Sequence, residues 1–117
     1  MIEELVARVF NTRNAVHLAH WATPSYAEHM ALGDFYDDLI DKIDNIVEMY
    51  QGAFGKIDKP SIKPEPISDL LGHIKAEVRW IEANRTKIAE GVSALENAID
   101  DLSGSYLKTS YKLSNLS

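Results

Sequence analysis

The apolar positions fall at helical spacing along almost the whole chain. Ile2, Leu5, Val6, Val9, Phe10, Val16 and His20 recur every three or four residues and predict a helix over 2–21. Glu3 and Glu4 lie in its first turn, where the helix dipole favours negative charge. The break falls at Ala22-Thr23-Pro24, because the residue before a proline is disfavoured in a helix. Ser25-Tyr26-Ala27-Glu28 then reads as a capping box that opens a second helix running to about Tyr50, with Gln51-Gly52 as its stop. Its stripe is Leu32, Phe35, Tyr36, Leu39, Ile43, Ile46 and Tyr50.

Residues 52–67 hold three prolines and two glycines and predict an irregular connection, longer than most compact domains use. A third helix is expected from Ser68 to Glu90, closed by Gly91. A second capping box, Ser93-Ala94-Leu95-Glu96, opens a fourth whose stripe continues through Leu113 and Leu116. No strand pattern and no repeat is visible. Four amphipathic helices with a long connection between the second and third predict an all-α four-helix bundle, one domain over 1–117.

Charge narrows the function. Eighteen acids against twelve basic residues give a net charge of −6, which opposes phosphate neutralisation and so argues against nucleic acid, while it suits cations. The absence of cysteine excludes disulfides, zinc thiolates and thiol nucleophiles. No apolar run is long enough for a membrane span, and MIEELVARVF lacks a signal-peptide core, so a cytoplasmic protein is expected. There is no phosphate-binding glycine loop, nucleophile elbow or Cys-His pair.

The remaining chemistry is a histidine-acid pattern. His17, His20 and His29 precede a helix rich in Asp34, Asp37, Asp38, Asp41 and Asp44. Asp44 and Glu48 stand one turn apart beside the apolar seam, so both carboxylates can converge on one ion. His29 lies roughly 22 Å along the axis from Asp44, beyond the reach of a shared ion. A site using both must span two chains, with antiparallel copies of the second helix meeting. Imidazole with carboxylate suits iron, manganese or zinc. The competing reading makes the acids a solvated face and the histidines packing residues. Asp37 and Asp41 are read as solvent residues and His73 as a surface or packing residue. Trp21 and Trp80 are read as core or subunit-contact anchors, and Tyr36 and Tyr50 as core.

"AHW", then a capped helix carrying "H", then "DNIVE" before a glycine resembles the Dps family of mini-ferritins over residues 14–52. The resemblance implies a ferritin-like bundle and a homo-oligomer, at least a two-fold dimer. It also implies an iron-binding ferroxidase centre between subunits, oxidising Fe(II) with peroxide or oxygen. Its ligands here would be His17 or His20, with His29, and Asp44 and Glu48 of the partner. His20-Trp21 matches the family's His-Trp pair, whereas His17 has the family's spacing to His29. Gly33 stands where the family carries an acid, and the segment between His20 and His29 is about three residues shorter. The pattern "AHW…YAEH…YDxLxDxID…EMYQG" also resembles a group associated with bacteriophage genomes. The alternative is therefore a non-enzymatic helical interaction protein, a phage or mobile-element accessory, without metal chemistry.

Overall fold

The computed structural model describes residues 1–116; Ser117, the last position of the expected 1–117 domain, lies outside them. Four helices form: α1 (Ile2–Ala22), α2 (Tyr26–Phe54), α3 (Leu70–Ala89) and α4 (Ser93–Asn115). Ser25 caps α2 as expected, its hydroxyl accepting from the Glu28 amide at 3.2 Å. The second capping box is not formed. Ser93 is already the first helical residue of α4, Val92 takes the cap position, and no side chain bonds there. α2 also outruns its expected stop by a turn. Tyr50 and Phe54 pack one turn apart, 4.9 Å between ring centroids and tilted by 54°, and support helix through Gly52. The terminating glycine is Gly55, whose φ of 93° suits only a residue without Cβ. Asp69, not Ser68, caps α3, accepting from the Gly72 amide at 3.0 Å.

Side-chain pairs fix the directions. His20 meets His29 across the short α1–α2 turn. Thr12 meets His73 while Arg8 meets Glu77, so α1 and α3 are antiparallel. Asp38 meets Ser105 while Lys42 meets Asp101, so α2 and α4 are antiparallel. Arg85 clamps Asp100 and Glu96 across the α3–α4 turn. The order around the bundle is therefore α1-α2-α4-α3. α2 and α3, on one diagonal, run the same way, so the chain must return the length of the bundle between them. At roughly 3.3 Å per extended residue, residues 55–69 reach about 50 Å, enough for the 44 Å long axis. This strap is held by α1 side chains: Glu3 accepts from the Asp58 amide at 3.1 Å and Asn11 from the Glu65 amide at 3.2 Å.

The core is one cluster drawn from all four helices, with Leu5, Val9, Leu39, Ile43, Ile81 and Ile99 among its sealed members. Tyr36 and Tyr50 pack half-buried against it. One polar chain crosses this core. Tyr106, fully buried, bonds the buried Thr12 hydroxyl, and burial holds its phenol protonated far above the usual range. Thr12 Oγ1 lies 2.8 Å from His73 Nε2. Glu77, 5% exposed, accepts from Arg8 Nη1 at 2.6 Å. The Arg8 guanidinium also lies over the Trp80 ring at 4.3 Å. His73, half-buried, is thus a packing residue at the edge of this network, one of the two readings its position allowed. The partner that decides for packing, the Thr12 hydroxyl, comes from α1 and is not revealed by the α3 pattern. Arg8→Met should cost about 2–3 kcal/mol in a denaturant melt, because it strands the Glu77 carboxylate. A double Arg8→Met, Glu77→Met variant should recover most of that loss.

Candidate functional site

The turn between α1 and α2 brings the three histidines together. His20 donates Nδ1–H to the His29 carbonyl at 2.6 Å, and His29 donates Nδ1–H to the His20 carbonyl at 2.7 Å. Both acceptors are carbonyls, so each ring must carry its proton on Nδ1. The two rings stack at 3.6 Å with 17° between their planes. The pair is a reciprocal clasp across the two helix ends. His17 sits beside it, 6.3 Å from His20, stacked on Tyr36 at 4.0 Å and against Trp21 at 4.5 Å. Desolvation, then the charges of Arg13 and His20, push the His17 pKa down, while Asp37 opposes them.

Gly33 is explained by the clasp. A Cβ there would stand 3.0 Å from His20 Cε1 and 3.2 Å from Nδ1, so the imidazole occupies the space a side chain would need. The position where the resemblance expects an acid is filled by a histidine ring from the neighbouring helix.

Asp44 and Glu48 lie elsewhere. Both are exposed on α2 at the lip of an apolar groove of about 350 Å³, formed by α1, α2 and the strap. Within one chain they do not meet the histidines, as the helix length requires. Among the described residues no three His, Asp or Glu side chains come together as a metal-binding group.

With Asp34, Asp37 and Asp41, these two acids form an exposed row spaced 3, 4, 3 and 4 residues apart, which is one face of a helix. Among the described residues none of the five makes an ion pair. Asp38 and Lys42 lie off this row because they turn toward α4, where Lys42 Nζ reaches Asp101 at 2.7 Å. At the turn above the row Trp21, Tyr26 and Met30 are exposed, Trp21 at 68% and Tyr26 at 75%, and Leu18 is exposed on the last turns of α1, toward the strap. Trp21 is therefore not a core residue. It sits on the last turn of α1, with its ring 4.5 Å from that of His17. The aromatic head is the feature sequence reasoning missed; its signal was an apolar set at the turn lying off the buried stripes.

The fold and this surface define an all-α four-helix bundle. No helix among the described residues is long and apolar enough to cross a membrane. The chain belongs to a family of unknown function, DUF5856, whose model matches residues 20–113. It is 34% identical over 98 residues to an uncharacterized 14.6 kDa protein from the mobD-ri intergenic region of Enterobacteria phage T4, covering 84% of this chain and 76% of that one. No solved structure matches.

Two substitutions probe the turn. Gly52→Ala, with nothing within 4 Å of the new Cβ, should gain up to about 1 kcal/mol in helix propensity. Gly33→Ala should show none of that gain in the same thermal melts, because the clasped ring cannot yield. His29→Ala should cost about 1–2 kcal/mol and speed amide exchange in the last turn of α1.

Proposed function

We propose that this chain is a non-enzymatic helical docking protein, a phage or mobile-element accessory, whose working surface is the outer face of α1 and α2. The observation that carries this reading is the exposed head of Trp21, Tyr26 and Met30. Large aromatic side chains left in water on a stiff frame are the usual anchors of protein interfaces. The frame is stiff because His20 and His29 tie the two helix ends to each other's carbonyls. The phage T4 relative, itself uncharacterized, supports the phage half of this reading.

A second reading is the mini-ferritin one, an iron-binding ferroxidase on a ferritin-like bundle. One observation favours it: a metal-binding histidine commonly fixes its ring by giving the other N–H to a carbonyl, as His20 and His29 both do. Two copies would then meet through antiparallel α2 helices. His29, with His17 or His20, would face Asp44 and Glu48 of the other copy. Fe(II) would be the substrate; zinc or manganese suits the same donors.

One experiment separates the two. A photoreactive residue at Tyr26, placed in the cells that make the protein, should crosslink one discrete heterologous protein, and Trp21→Ala should abolish the crosslink. Anaerobic Fe(II) titration should show no stoichiometric binding. Stoichiometric Fe(II), lost in the His29→Ala, Glu48→Ala variant and turning ferric with peroxide, would establish the ferroxidase instead.

A further inference from the structure

The groove beside Asp44 and Glu48 has an apolar lining and carboxylates along its α2 wall. Phe10 and Ile43 lie deep in it, Val47 lines α2, and Ile57 and Ile62 of the strap close the far side. Asp44 and Glu48 form the wall, and they are the lower end of the exposed row Asp34, Asp37, Asp41, Asp44 and Glu48, none of which pairs with a lysine or arginine among the described residues. From Asp34 to Glu48 the row runs about 21 Å, or four helical turns. Its upper end reaches Met30 and Tyr26 of the aromatic head, which share the same side of α2.

Charge decides what fits. A second copy packed α2 against α2 would set one carboxylate row against another, a costly juxtaposition; the exposed lysines near this face, Lys56, Lys59 and Lys63, lie on the strap and not on α2. Nucleic acid and anionic lipid would be repelled in the same way. A cationic protein segment is attracted to it. The alternating spacing of 3 and 4 is the spacing of a helix edge, so cations at that spacing on a second helix pair with the row along its full length. The same helix offers an adjacent apolar edge to the groove.

Building on the docking reading above, we propose that the partner is a basic amphipathic helix seated along the α1–α2 groove. Its lysines or arginines pair with the α2 carboxylates and its apolar edge enters between Val47 and Ile62.

The probe is a synthetic amphipathic peptide with lysines at alternating three- and four-residue spacing along one edge and leucines along the next. Titration calorimetry should show saturable binding at one peptide per chain, weakening as salt rises. The Asp41→Asn, Asp44→Asn, Glu48→Gln variant should bind about tenfold more weakly, as small exposed-pair gains compound. All three positions are exposed, so the fold stands. Val47→Asn should weaken binding at unchanged charge.

Equal binding of a scrambled peptide of the same composition would overturn the proposal, since charge alone would then suffice. No binding would overturn it too. So would self-association that strengthens with salt, which would make a second copy the occupant. The docking reading stands or falls separately, on the Tyr26 crosslink. A crosslinked acidic or neutral partner would keep that reading while removing this one.

Discussion

α2 and α3 run parallel on one diagonal of the bundle, and most of what is distinctive here follows from that constraint. Two consecutive parallel helices cannot be joined by a turn, so residues 55–69 must travel the length of the molecule. They cannot cross the core, because an extended backbone would bring unpaired amides into it. They run along α1 instead, where Glu3 and Asn11 take two of the strap's amides. Ile57 and Ile62 are thereby placed beside Val47 and above Phe10, and the seam between α1 and α2 becomes a walled groove. The prolines that look like simple helix breakers suit this route, since they lack the amide that an extended surface strand would otherwise have to satisfy.

The two ends of the α1–α2 pair are stabilised by different chemistry. At the strap end, Tyr50 and Phe54 carry α2 past its neighbours. At the turn end, a short loop forces the helices close, and the histidine clasp uses that closeness. It satisfies two carbonyls and fills the gap over Gly33 in the same stroke. An imidazole so placed serves equally as a packing piece and as an oriented ligand, which is why the same histidines support both functional readings. The carboxylates are less ambiguous in a single chain. Asp38 turns inward to Ser105, while the row beyond it is exposed and makes no ion pair among the described residues.

The helices were legible because their apolar periods are long and regular. Their exact ends were not. Ser93 had the composition of a cap, but the backbone leaves the α3–α4 turn through Glu90 and Gly91, both at positive φ, and enters the helix one residue early. Gly52 looked like a stop but is overridden by an aromatic pair that straddles it. Thr12, His73 and Glu77 were unreadable as a group, since each belongs to a different register until α1 and α3 are brought together.

From the sequence alone come the four helices, the need for a long connection, the acid row, and the rule that His29 and Asp44 cannot share an ion within one chain. All of these depend on spacing along a single helix, which the helix rise fixes. The tertiary structure decided which atoms the histidines use, why position 33 is bare, that Trp21 faces solvent, and that a polar chain runs from Tyr106 to Arg8. Those outcomes depend on which helix faces which. That choice is made by the summed burial of all the apolar stripes, so no single stretch of sequence records it.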